Sequence, residues 1–300
     1  MAINKESIQG VIFALVGCVG LGILGIVDKV GTLESNNPFV FSTQSLLFSL
    51  LFTLIFALFY FKGLPIRKIS NLSISSLGLI ILVGVFASGI FILLRFIGLT
   101  ESTGTFATLS QIVTTSLTAV FAWFILKEQL SKSFWGLFIV IILSMYFVSV
   151  GSLTLASVKS GDIYILFGAI FLAVANIFSR IGVQKVDPIL FSLGRFIFGS
   201  IFLLITGLLL VNNYGILNSF TGWVILSGLL WAMNVIAFNL AIKRIGVTFT
   251  TSLLMMAPII TILLEYSLLK HHFTFVQVAA ALVVVAGGLA IILHKNPLAL

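Results

Sequence analysis

The sequence predicts an all-α integral membrane protein: ten transmembrane helices arranged as two inverted five-helix repeats, with both termini cytoplasmic. Three observations predict it. The composition is one. Of 300 residues, 60% are hydrophobic and 8% charged, where a soluble domain carries roughly 25% charged residues. So little charge cannot cover a globule in water, and lipid must be the solvent. The second is a series of apolar runs, each about 20 residues long, the length that crosses a bilayer as a helix. The third is that the second half of the chain repeats the pattern of the first.

In order, the runs lie at 8–27, 39–61, 75–97, 103–126, 133–152, 161–181, 189–210, 221–242, 247–269 and 274–293. Gly and Ser are spread through them and strand-like alternation is absent, so helices are predicted rather than a barrel. With the N-terminus inside, Lys5, Lys62, Arg67, Lys68, Lys127, Lys132, Arg180, Lys185, Lys243, Arg244 and Lys295 fall on the cytoplasmic side. Lys29, Arg95, Lys159 and Lys270 fall outside. The excess of basic residues inside fixes the orientation. The formal charge of +8 therefore reads as membrane topology, not as a nucleic-acid surface. The first run has no cleavage site after it and more runs follow, so no cleavable signal peptide is expected. Cys18 is the one cysteine, which excludes a disulfide framework and a Cys-based zinc site.

The repeat is visible in short motifs. Asn37-Pro38 then Phe41-Ser42 opens the second run, and Asp187-Pro188 then Phe191-Ser192 opens the seventh. Gly10 and Lys29 bracket the first run as Gly161 and Arg180 bracket the sixth. Lys127-Glu128-Gln129-Leu130-Ser131 follows the fourth, and Lys270-His271-His272-Phe273-Thr274 the ninth. The halves are 1–152 and 159–296. Five helices is an odd number, so the second half enters the membrane in the opposite sense. Such a pseudo-two-fold axis gives a carrier two access states of similar energy.

These motifs, with Arg195 in the seventh run, Pro258 in the ninth and Gly287-Gly288 in the tenth, resemble the drug/metabolite transporter superfamily, specifically its EamA-type ten-helix members. Both halves match. Ser45 stands where Arg195 falls in the other half, Thr115 where Pro258 falls, and His271 where an acid is expected. The resemblance implies a secondary active transporter, a permease or exporter of small metabolites such as amino acids, in the inner or plasma membrane. It also implies that runs five and ten are free to meet a partner, so that a monomer or a weak dimer is expected.

Polar residues in lipid should face the bundle interior or a wet cavity. Thr108, Gln111, Thr115, Thr118 and Ala122 share one helical face of the fourth run. Thr251, Leu254, Pro258, Thr261 and Glu265 share one face of the ninth. The two rows are expected to meet near the axis, either around a cavity or as hydroxyl packing between helices. Ala169, Ala173, Asn176 and Arg180 in the sixth run answer Cys18, Gly22, Gly25 and Lys29 in the first. In the eighth, Trp231, Asn234 and Phe238 form an aromatic and polar face suited to a small zwitterion or an aromatic solute. The expected substrate-binding residues are thus Thr108, Gln111, Thr115, Asn176, Trp231, Asn234, Phe238, Thr251 and Met255.

The expected coupling or gating residues are Glu265, Arg95, Pro258 and Arg195. Glu265 reads as the only acid well within a run. Burial requires it to pair with a cation, for which Arg95 is the candidate, to carry a proton as coupling ion, or to reach the interface. Arg195 could hold a substrate carboxylate or phosphate, or could snorkel and bond helix carbonyls. Pro258 frees a carbonyl and either hinges or bends its helix. His271, His272 and His294 lie at run ends and show no metal constellation. No Gly-x-x-x-x-Gly-Lys-Ser/Thr segment is present. The constellations of an intramembrane enzyme and the charged rings of a channel are also missing, and no cofactor is expected. A proton-independent facilitator or exchanger is the alternative carrier. A non-transporting membrane protein and an intramembrane enzyme are the remote ones.

Overall fold

A computed structural model describes residues 5–35, 37–63, 72–127, 129–153, 156–211, 215 and 222–295. Among them the regular structure is helical, with no strand. Arg67, Lys68 and Glu128, used above for orientation and for the repeat, lie outside the described residues.

The helices are α1 (Lys5–Ser35), α2 (Pro38–Phe61), α3 (Ile74–Leu99), α4 (Gly104–Leu126), α5 (Lys132–Val150), α6 (Ser160–Lys185), α7 (Pro188–Leu210) and α8 (Gly222–Gly246). These eight are long and apolar enough to cross a membrane. α9 comes in two pieces, 247–254 and Ala257–Leu268, and α10 is Phe275–Lys295.

Local chemistry explains the ends. Asn37 Oδ1 accepts from the backbone N–H of Phe39 at 3.0 Å and Val40 at 3.2 Å, and Asp187 Oδ1 accepts from Ile189 at 3.0 Å. Pro38 and Pro188 take the first helical position, where a missing N–H costs nothing. The duplicated Asx-Pro motif is therefore a duplicated helix start. Its phenylalanine packs the same way twice. Phe41 and Phe191 are both fully buried, each against a glycine of the preceding helix. A Cβ on Gly31 would lie 2.2 Å from the Phe41 ring, and one on Gly182 would lie 2.2 Å from that of Phe191. Ser73, Thr103 and Ser131 cap α3, α4 and α5. α8 ends at Gly246, whose φ of 77° is left-handed backbone that favours glycine.

Two helices are interrupted. Residues Gly84–Ile90 of α3 form a π-helical segment. It lies against α7, where a Cβ on Gly199 would be 2.4 Å from Ser88 Cβ and one on Gly84 would be 2.9 Å from the Arg195 carbonyl. In α9 the helix stops at Leu254 and restarts at Ala257, with Pro258 in its first turn. The proline produces a break where a bend was one expectation, because it cannot donate to the carbonyl four residues back.

One boundary is corrected substantially. α1 runs on to Ser35, well past the expected end at 27. Asp28 and Lys29 look like the start of a loop, but both are met inside the protein, Asp28 by Arg95 and Lys29 by the Leu99 carbonyl at 2.8 Å. Charge ends a membrane helix only when it has no partner there. α1 packs chiefly along α8 and α9, α2 along α7 and α8, α3 along α6 and α7, and α4 along α6. α5 and α10 pack on each other and reach the rest mainly through α4.

Candidate binding cavity

Helical periodicity builds the cavity wall. Thr108, Gln111 and Thr115 follow at steps of three and four on α4, as do Trp231, Asn234 and Phe238 on α8, and Thr251 and Met255 are four apart on α9. The structure brings all eight to one cavity, together with Asn176 of α6 and Arg195 of α7. Leu21, Phe91, Ile112, Thr114, Leu172, Val235 and Leu254 complete the wall. Together they enclose about 690 Å³ free of protein atoms, the open mouth included. Both halves of the chain contribute. The wall residues the sequence reading passed over are Leu21, Phe91, Ile112, Thr114, Leu172 and Val235. Their signal was only adjacency to the polar faces, which any membrane helix offers.

The wall has aromatic and polar sectors. Phe91 and Trp231 meet edge to face at 6.2 Å between centroids. Asn234 Nδ2 donates to the Gly17 carbonyl at 3.0 Å. The hydroxyls of Thr108 and Thr115 each donate to the carbonyl four residues back. Gln111 Nε2 is buried and has no hydrogen-bond partner among the described residues. Arg195 is held by its neighbours, a helix carbonyl among them. It is 4% exposed, and its Nε donates to Ser88 Oγ at 2.7 Å while Nη2 lies 3.5 Å from the Ala87 carbonyl. Asn239 is buried off the wall, donating to Ser192 Oγ at 2.8 Å.

Glu265, Arg95 and Pro258 do not line the cavity. A polar layer beside it holds the first two. Glu265 accepts at Oε2 from the Thr105 N–H (2.8 Å) and hydroxyl (2.6 Å), and at Oε1 from the Gly104 N–H at 3.2 Å. A carboxylate placed there satisfies the free N–H groups at the start of α4 and meets the positive end of its dipole. One turn along α4, the Thr261 hydroxyl lies 3.1 Å from that of Thr108 and 2.8 Å from the Gly22 carbonyl. The two polar rows thus meet, with α4 and α9 antiparallel. Close approach requires the small residues of α1: a Cβ on Gly25 would sit 2.6 Å from Thr108 Oγ1.

Two readings of Glu265 are corrected here. It is not the only buried acid within the spans, since Asp28 and Asp162 are buried as well. It is also not the partner of Arg95. Arg95 Nε bonds Asp28 Oδ2 at 3.2 Å and Nη1 the Ala107 carbonyl at 3.0 Å. Ser227 donates to the other Asp28 oxygen at 2.7 Å. The Arg95 guanidinium carbon lies 5.7 Å from the centroid of the Trp231 ring, within cation–π range, so this layer touches the cavity wall. Asp162 accepts from Ser102 and Ser149. Among the described residues no group of three or more metal-binding side chains occurs.

The EamA-like transporter family matches residues 8–150 and again 159–293. A solved crystal structure has the same fold at a TM-score of 0.66, with 13% identity, covering 94% of this chain and 95% of that one. None of the curated proteins matches the sequence.

Proposed function

The chain belongs to the EamA-like transporter family, and from that premise we propose that it is a secondary active transporter, moving small metabolites across the cell membrane by alternating access. In this reading the ten helices form two inverted repeats with both termini cytoplasmic. The antiparallel run of α4 and α9, the equivalent helices of the two halves, supports the inversion. The excess of basic residues on one side supports the orientation. The single observation that carries the proposal is the cavity itself, walled by both halves and lined with polar groups that packing alone does not require.

Thr108, Gln111, Thr115, Asn176, Trp231, Asn234, Phe238, Thr251 and Met255 are proposed to contact substrate. Arg95, Glu265 and Pro258 are proposed to couple or gate, and amino acids and related metabolites are the first solutes to test. A proton-independent facilitator or exchanger is the second reading. It is favoured by the lack, among the described residues, of any acid on the cavity wall. Counterflow in proteoliposomes tests the carrier. A labelled solute should accumulate transiently against an excess of unlabelled solute on the far side. A protein that binds the solute without counterflow is not a carrier.

A further inference from the structure

Two arginines are buried among the spans, and they are treated differently. Arg95 is answered by Asp28 at 3.2 Å. Arg195 is 4% exposed, yet among the described residues no carboxylate lies within ion-pair distance of it. Its hydrogen-bond partners, Ser88 and Ala87, are neutral. A guanidinium has five N–H donors, and the two contacts of Arg195, from Nε to Ser88 and from Nη2 to Ala87, use only part of them. A buried charge without a counter-charge is costly, and this one stands on the wall of the cavity.

From this we infer that the cavity recognises a small organic anion, whose carboxylate or phosphate oxygens complete Arg195. The inference rests on the carrier reading for the use of the site, not for its chemistry. The π-helical segment Gly84–Ile90 positions the guanidinium. It presses Ser88 against α7, where a Cβ on Gly199 would clash at 2.4 Å, and so fixes the hydroxyl that accepts from Nε. Gln111 Nε2, buried and unpartnered, adds a second unspent donor on the same wall. Among the described wall residues no Asp or Glu is present, so a substrate ammonium would meet amide oxygens, hydroxyls and ring faces but no counter-charge. Phe91, Trp231 and Phe238 offer flat apolar surface to the rest of the solute. An anionic head and an apolar body are therefore required, and an amino group is not.

Equilibrium binding to the purified full chain tests this with four probes that share the indole ring, indole-3-acetate, indole-3-acetamide, tryptamine and tryptophan, and with phenyl phosphate. 4-Methylvalerate and its amide serve as a second body. The acids should bind at least about tenfold tighter than their amides, the difference between a charged and a neutral hydrogen-bonded contact. Tryptamine should bind weakest, and tryptophan no better than indole-3-acetate. Phenyl phosphate against the carboxylates tells which oxyanion is preferred. Arg195→Gln should equalise acid and amide, and Arg195→Lys should keep part of the preference. Ser88→Ala, which leaves the charge but releases the guanidinium, should weaken the acids several-fold with the amides unchanged, and it serves if Arg195→Gln does not fold.

An amide or amine that binds as well as the acid overturns the inference. So does an acid preference that survives in Arg195→Gln, or a folded protein that binds no acid of the panel. Counterflow of the best-binding labelled acid separates the two proposals. Acid-selective binding without counterflow ends the carrier reading alone, and counterflow without charge preference ends the anion inference alone.

Discussion

Asp28 and Arg95 form an ion pair between α1 and α3, 3.2 Å from Nε to Oδ2, with neither side chain exposed. Ser227 of α8 donates to the second oxygen of Asp28 and Ser45 of α2 bonds Ser227 at 2.7 Å, so three helices meet at one carboxylate and a fourth joins through Ser227. Removing one member of a buried pair leaves the other uncompensated. Asp28→Asn or Arg95→Met alone should destabilise the protein by about 3–5 kcal/mol, read by SDS-titration unfolding. The double variant Asp28→Leu/Arg95→Met should recover most of that loss. Single variants as stable as the parent would mean that the pair contributes nothing.

Glu265 occupies the start of α4 through three hydrogen bonds. As a proton-coupling site it predicts that Glu265→Gln abolishes pH-gradient-driven uptake in vesicles while the protein still folds. As a helix cap it predicts a stability loss of about 1–2 kcal/mol and uptake that keeps its gradient dependence. The two outcomes are exclusive in the transport assay, and an unchanged gradient dependence removes Glu265 from coupling.

Asn176 lines the cavity and its amide makes no hydrogen bond to a described residue. Asn176→Leu should raise KM for a transported solute roughly tenfold, the loss of one or two polar contacts. The unfolding transition should change little, because no protein partner is lost. A KM equal to that of the parent would place the solute elsewhere.

Gly104 sits where α4 begins, and a Cβ on it would lie 2.3 Å from the carbonyl oxygen of Gly25. Backbone on both sides leaves no flexible atom to yield. Gly104→Ala should destabilise by about 1–3 kcal/mol and weaken the Glu265 contacts. Gly20, around which a Cβ would meet nothing within 4 Å, is the control, and Gly20→Ala should be silent in the same assay. Equal effects of the two would refute the close packing of α1 on α4.

Pro258 follows the break between the two pieces of α9. If the break is a hinge, Pro258→Ala lets the helix close up and slows turnover, with ligand affinity unchanged. Stopped-flow uptake and equilibrium binding together check it, and an unaltered rate identifies a static break.

Helical faces were legible in the sequence because they depend on a local period. Thr108, Gln111 and Thr115 must share a side of any helix that contains them, as must Trp231, Asn234 and Phe238, and these are among the residues that line the cavity. The duplicated Asx-Pro-x-x-Phe motif was legible for the same reason, since a cap and its helix are neighbours along the chain. Partnership was not legible. Arg95 bonds an acid 67 residues away, and Glu265 two N–H groups some 160 residues away. Asp28 next to Lys29 read as the end of a helix until its partner was in place. The sequence by itself determined that the chain folds in lipid as a repeated set of apolar helices and which sides of them carry polar groups. Only the tertiary structure decided which buried charge is neutralised and which is left facing the cavity, because Coulomb and hydrogen-bond energies depend on distance in space, and sequence separation does not encode it.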